Sequence, residues 1–550
     1  MYKFGTGKRA SEQIRYRMKK RIYIREWLSL KPYQRQVQTD AYYLALCNNV
    51  KEILLQPEHF LLLRCLEEED IHLLCCFLVS YFEDVISQTN IWNTFIQKHA
   101  ELFGKRLPFY PTVEYDENEI NEQDVSFLTW YFLNTIQEDK FVSPYNESIA
   151  RFARNVMDLF EEEYERAPEN EDLIIYYSID QSETDFYVVR KFIEQVLFKS
   201  YLFWTDTRFR LRKIEEEVLE DERLKKMGPD YLNEIKDSFL HRWCTRLLGL
   251  KGKEWGAEIL GKSHPLYTEL YRMSPKIFGY FLYKGQNDTH ITLEHIASEK
   301  SFLLTKESFG YSDKLIEIDT IVAIGIVKWR EEWWFSGAYT QQEFDEHVVR
   351  KEKNLDLVRR KDLSFLDEDE CVSELLQKQG KTFLEFNNSS HIAFLPSDKI
   401  EQFLNDYFAY YNKSQILANG EPESLERTAW NKEYFKEGKG ENPVFSKIAA
   451  SGLVFYNPKS GIEIALSINS AFPAKENPYY EDDESEEAIY HLLMSKEFSR
   501  ELVLYCIDHY RNDLPFFTDG VGKRYLDDLD FLLRFWKRES YHTISSVSSS

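Results

Sequence analysis

Glu69 and His72 stand three residues apart, the spacing at which a carboxylate and an imidazole share one helix face and hold a metal ion. A two-metal bundle needs a second such pair and two further carboxylates. Glu83 and Asp84 are the nearest acids downstream and no second copy of the motif follows, so a plain helix-face histidine is the simpler reading. Carboxylates from distant segments can still converge on Mg²⁺ without a local signature. Glu83 and Asp84 would then belong to a metal-dependent, hydrolase- or nuclease-like set. Cys75 and Cys76 adjoin among Leu73, Leu74, Phe77 and Leu78, which marks them as inert core thiols. Asp527, Asp528 and Asp530 precede Phe531-Leu532-Leu533, where acids favour the first turn of an amphipathic helix. His290 and His295 lie an odd number of residues apart on one predicted strand and so point to opposite faces. Gly438-Lys439-Gly440 has neither phosphate-loop nor dinucleotide-fold spacing, and no nucleophile elbow, H-E-x-x-H or kinase signature occurs. No catalytic residue, metal ligand or cofactor is assigned on these grounds, and the reading leans away from an enzyme.

Two other groups point to binding. Trp329, Trp333, Trp334, Phe335 and Tyr339 form the densest aromatic cluster of the chain. Such a cluster can be a stacking or peptide-binding platform. The competing reading, and the weightier one for tryptophan, is that these rings plug a core or dock it on its neighbours. Lys19, Lys20, Arg21 and Arg25 belong to a basic N-terminal arm suited to nucleic acid or an acidic partner. Against that, the arm can fold back on its own acidic body.

The elements that must position these residues follow from periodicity. The segment 277–339 is the one long β-rich run between two largely helical halves. Ile277–Tyr283, His290–Ala297, Phe302–Thr305, Thr320–Trp329 and Trp333–Tyr339 predict five short strands, enough for a small SH3-like or OB-like barrel. Thr320–Trp329 is nearly all apolar and β-branched, as for a strand buried on both faces, and Gly325 sits where closure would need a bend. Upstream, the 3.6-residue period predicts helices at 40–55, 60–86, 92–103, 125–136, 185–204, 211–227 and 231–250, with another opened by Ser143-Pro144. The charged 211–227 run reads as a solvated face laced by i,i+4 pairs. Downstream, helices are expected in 341–360, 371–379 and 399–411, and a mobile loop at 418–443. Two hairpins are expected: Thr382–Phe386 with His391–Leu395, and Gly452–Tyr456 with Ile462–Ile468. The expected class is α+β multidomain, divided as a basic arm 1–26, an all-helical domain 27–270, a β-barrel-like domain 275–345, an α+β domain 346–543 and a disordered tail 544–550.

The 550 residues carry a net charge of −24, with 43% hydrophobic and 15% aromatic side chains. Residues 1–35 hold eleven Lys and Arg against two acids, a local +9, so the remainder is −24 − 9 = −33. A surface that acidic argues against nonspecific nucleic-acid binding by the body and favours a basic partner. Seven cysteines are scattered without a C-x-x-C pair, which suggests neither a disulfide scaffold nor a zinc ribbon. A reducing compartment, the cytoplasm, is expected. No secretory signal is recognisable and no apolar run is long enough for a membrane span.

Several short segments carry a resemblance. They are Lys31-Pro32-Tyr33, Thr39-Asp40 with Tyr42-Tyr43 and Asn48, Ser80-Tyr81-Phe82-Glu83-Asp84, Leu107-Pro108-Phe109-Tyr110, Glu119-Ile120-Asn121 with Asp124, Ala167-Pro168-Glu169-Asn170, and Phe531-Leu532-Leu533-Arg534. Together they resemble a family of uncharacterised bacterial proteins of Bacteroides-type organisms, domain of unknown function 3843, over most of the chain beyond the arm. The resemblance implies a bacterial cytoplasmic setting and supplies no activity. The expected function is a non-enzymatic interaction or scaffold protein whose central β module meets a protein partner. A metal-dependent enzyme and nucleic-acid binding through the arm are the alternatives.

Overall fold

The computed structural model describes residues 20–137, 141–221, 228–354, 363, 370–419 and 444–538. The chain divides into two compact units, one within residues 1–365 and the other within 366–542. The predicted architecture holds: a helical N-terminal half, a closed five-stranded barrel in the middle, and an α+β C-terminal part.

In the first unit the helical half and the barrel share one core. Helix Glu68–Ser87 is buried along almost its whole length, because Ile71–Phe82 is apolar on nearly every side, His72, Ser80 and the Tyr81 hydroxyl excepted. Helix Ile91–Phe103 ends at Gly104, whose φ of 71° gives the left-handed cap expected of glycine there. Local boundaries differ from the sequence reading. The helix expected to open at Ser143-Pro144 is Glu147–Glu163, because Asn146 supplies the cap and accepts the Ser148 N–H at 2.9 Å. The run 185–227 breaks at Ser200 into helices Phe186–Lys199 and Tyr201–Glu220. Helix Gly228–Arg242 stops short of 250, where Cys244 and Lys251 bridge instead.

The barrel strands are β1 (Ile277–Gln286), β2 (His290–His295), β3 (Ser301–Thr305), β4 (Ile321–Trp329) and β5 (Glu332–Gln342), in the order β1-β2-β3-β5-β4. β2 alternates as read, with Ile291 and Leu293 buried. β4 is apolar but for Lys328 because both of its faces are covered: Val322, Ile324 and Ile326 on one face are buried, as are Ile321, Val327 and Trp329 on the other. Ile321 packs with Leu282 and Ile296 under Val348 and Val349 of helix Glu346–Asn354. Val327 and Trp329 join Phe186, Leu197, Leu240 and Leu270 of the helical half in one core. The β4–β5 ladder shifts register between Ile324 and Ile326, across Gly325. Closure is uneven: β3 meets β5 at one parallel pair, Leu304 with Trp333.

The second unit holds an antiparallel sheet of β6 (Ile392–Pro396), β7 (Ser451–Asn457) and β8 (Gly461–Leu466) in that order. The β7–β8 hairpin is as expected. The other hairpin is corrected. Thr382–Phe386 is the last turn of helix Glu370–Phe386, and β6 pairs with β7 instead. Phe383 on that helix packs with Tyr407 of helix Ile400–Asn419 against Val454 and Tyr456 of β7. Phe455 faces Tyr505 across the other side of the sheet, ring centres 5.5 Å apart. The expected loop 418–443 (beyond Asn419), Gly438–Gly440 and the 544–550 tail lie outside the described residues.

Candidate interaction surface

The five aromatic residues of the barrel divide into two roles. Trp329 is 1% exposed and its indole N–H is directed at the Thr184 carbonyl, 3.4 Å away. Trp334 stacks on Phe186 at 5.5 Å, with Tyr187 edge-on at 6.2 Å. These two indoles dock the barrel on helix Phe186–Lys199, which is the burial role weighed above for tryptophan. Trp333, Phe335 and Tyr339, like Trp334 itself, keep part of their surface in solvent. Trp333 meets Phe302 edge-on at 5.0 Å. Tyr339 stacks on Tyr311 at 5.5 Å and 11°, with Phe309 edge-on to it. Tyr311 belongs to the β3–β4 connection, which also exposes Ile316 by 79% and Ile318 by 58%. Leu303 on β3 and Phe344 just past β5 are more than half exposed as well. Several large apolar side chains are thus held in water on one small module. The sequence reading named Tyr339 but missed Tyr311, Ile316 and Ile318, whose signal was apolar residues set in a polar connection.

A buried charge cluster fixes the barrel to the helices, and it was not foreseen. Lys276 is wholly buried, its ammonium 2.6 Å from both Glu234 and Asp237 of helix Gly228–Arg242. Asp237 also takes Arg190 at 2.6 Å and the Ser336 hydroxyl at 2.8 Å. Burial alone would raise the Asp237 carboxyl, but His241, Lys276 and Arg190 outweigh it and hold it below the usual carboxylate range. Burial pushes His241 itself down to about 4, so at neutral pH Lys276 and Arg190 do this work. Gly325 and Gly337 make room for the cluster. A Cβ on Gly325 would collide with Lys276 and the Ser336 carbonyl, and one on Gly337 with Glu234 and Lys276. Gly325 therefore serves a close approach, whereas the extra residues of the register shift lie on β5 around Gly337, whose φ is 98°. Asp237, His241 and Ser336 are the residue types of a hydrolytic triad, but the geometry is not one. The serine proton goes to Asp237, and His241 Nε2 faces both partners, 3.2 Å from Ser336 and 3.8 Å from Asp237, beneath the barrel.

The residues that carried the resemblance converge on buried hydrogen bonds. Lys31 pairs with Glu83 and lies 3.6 Å over the Trp27 ring. Asn170 donates to Glu83 at 2.8 Å and to the Tyr33 hydroxyl at 3.0 Å. Tyr33 and the Trp27 indole donate in turn to Asp40 at 2.9 and 2.7 Å. Asp84 caps helix Ile91–Phe103, accepting the N–H groups of Ile91 and Trp92 at 3.2 and 2.7 Å and the Tyr201 hydroxyl at 2.8 Å. Glu83 and Asp84 are thus engaged in separate buried sites and do not face a common cleft, which corrects their reading as metal-facing acids. Among the described residues no group of three His, Cys, Asp or Glu side chains is placed to hold a metal ion. The Glu69–His72 pair is likewise unsuited, because His72 Nε2 lies 2.6 Å from the Lys51 ammonium. Cys75 and Cys76 are fully buried, and burial pushes the Cys75 thiol well up. Asp530 pairs with Arg534 one helical turn on, at 2.9 Å.

Of the basic arm, Lys19 lies outside the described residues; Lys20, Arg21 and Arg25 are exposed. Between them Ile22 is buried and bonded through its N–H to Asn48 at 3.0 Å, so this end of the arm folds back on the body. No helix among the described residues is long and apolar enough to cross a membrane.

No curated protein and no solved structure matches this chain. The resemblance extends less far than expected: Phe531–Arg534 fall outside the region that a family model matches. Residues 21–275, which hold Lys31, Tyr33, Asp40, Glu83, Asp124 and Asn170, match the family described as protein of unknown function (DUF3843).

Proposed function

We propose that this chain is a non-enzymatic interaction protein of a reducing, cytoplasmic setting, and that its barrel presents the contact surface to a protein partner. The observation that carries the reading is the exposure of Ile316 and Ile318 on the same connection as Tyr311, which stacks on Tyr339. The helices Phe186–Lys199 and Gly228–Arg242 anchor the barrel through Trp334 and the Lys276 cluster. Glu343 and Asp345, both exposed, flank Phe344. With the net charge of −24, they favour a partner that offers apolar anchors ringed by Lys or Arg. Six cysteines, Cys47, Cys65, Cys75, Cys76, Cys244 and Cys506, are free thiols, which supports the compartment.

The test is affinity capture with the full chain and with the double variant Ile316→Asp, Ile318→Asp. The wild type is expected to retain a partner that the variant loses, with the same circular dichroism and unfolding midpoint for both. A partner held equally by both proteins would overturn the assignment of the surface. Recovery of nucleic acid released by moderate salt would move the function to Lys20, Arg21 and Arg25.

A further inference from the structure

We propose that the contact between Lys51 and His72 is a proton-operated latch on the segment Lys20–Tyr23, closed while the imidazole is neutral and opened when it takes up a second proton beside the ammonium. The segment is held at two rungs. The Asn48 carboxamide accepts the Ile22 N–H at 3.0 Å and donates back to the Ile22 carbonyl at 3.3 Å. Lys51, 4% exposed, donates to the Lys20 carbonyl and lies 2.6 Å from His72 Nε2. An ammonium has no lone pair, so Nε2 must be the acceptor and the ring proton must sit on Nδ1. That nitrogen faces Glu26 of helix Ile24–Leu28, 3.6 Å away.

Every element packed on the pair contributes a charge or a dipole. Helix Ile24–Leu28 brings Glu26, helix Glu68–Ser87 brings Glu68 and Cys75, and the chain at Lys20 brings its backbone. Burial, then Lys51, pushes the His72 imidazole below its ordinary value, against the opposing pull of Glu26, Glu68 and the Lys20 backbone. Burial likewise lowers the Lys51 ammonium. A His held below its free value binds its proton better once the segment has opened. Opening is therefore favoured as pH falls below about 6.5, the free value, and is disfavoured above it. The latch lies where the exposed cations Lys20, Arg21 and Arg25 leave the body, so its opening would extend the reach of those charges.

The experiment is hydrogen exchange of the Ile22 amide in the full chain, corrected for intrinsic chemistry, at about pH 7.5 and about pH 5. Opening should rise several-fold, to a ceiling of roughly thirtyfold set by the distance from the free value of about 6.5 down to about pH 5. In His72→Gln the carboxamide oxygen still accepts from Lys51 but cannot be protonated, and the step should vanish. A step that persists in His72→Gln, or wild-type protection that does not change with pH, overturns the latch. Should His72→Gln fail to fold, the wild-type His72 ring titrated by NMR decides: a midpoint below 6.5 is expected, and one at or above it refutes the proposal.

Discussion

Asp124 receives two tyrosine hydroxyls, Tyr81 at 2.7 Å and Tyr115 at 2.8 Å, in a fully buried site. Burial raises its carboxyl to about 7, against the hydrogen bonds of Tyr81, Tyr115 and Asn121. The folded protein therefore holds a proton there that the unfolded chain has released once pH passes the ordinary carboxylate range. Stability from this group is complete in mild acid and is lost as pH rises towards about 7. Asp124→Asn should remove that component, so the difference in unfolding free energy between wild type and variant should slope between about pH 4 and about pH 7. A difference flat across that range would show the carboxyl to be ionised throughout. At the same scale, Lys276→Ala leaves Asp237 and Glu234 facing each other without their shared cation. It should cost roughly 3–5 kcal/mol in denaturant unfolding, as expected when one member of a buried ionic group is removed. None of this was readable from the residues alone. Lys276 meets Glu234 and Asp237, and Asp237 meets Arg190, only by folding, and the trace this leaves is negative: Gly325 and Gly337, where a side chain would occupy the place of Lys276.

The barrel was legible because a strand with one face on a core writes a two-residue period, as Ile291 and Leu293 do. β4 was legible through the opposite pattern, since covering on both sides leaves Lys328, near its end, as the one polar position in the strand. Helix Glu370–Phe386 was misread at its end because Thr382–Phe386 is too short to separate period two from period 3.6. The true partner of β6 lies some sixty residues on, beyond any local turn signal. That helix offers its own test. A Cβ on Gly380 would collide with the ring of Tyr456, whose hydroxyl donates to the Leu376 carbonyl of the same helix. Gly380→Ala should therefore cost about 1–3 kcal/mol, the usual range for overpacking. A neutral result would mean that the helix slides freely on the sheet.

At the scale of the whole chain, each of the two units has its own hydrophobic clusters and its own sheet. Calorimetry of the full chain is expected to show two transitions. Lys276→Ala should lower one of them and Gly380→Ala the other; a single transition lowered by both variants would show the units to unfold together. The division of the chain was only partly legible. Residues 27–270 and 275–345 differ in their hydrophobic period and so read as separate domains, yet Trp329, Trp334 and Lys276 merge them into one unit. Interdigitation of that kind leaves no mark in a one-dimensional pattern.

The barrel, finally, is a sheet sewn shut by one stitch. β4 and β5 run side by side for most of their length, whereas β3 and β5 share the Leu304–Trp333 pair alone. Thermal motion separates a ring of strands first where the fewest hydrogen bonds must break together, so this seam should part while the rest stays closed. Trp333 stands at the seam with its ring against Phe302. Any opening there would turn an indole outward next to Leu303 and enlarge the apolar area that a partner meets.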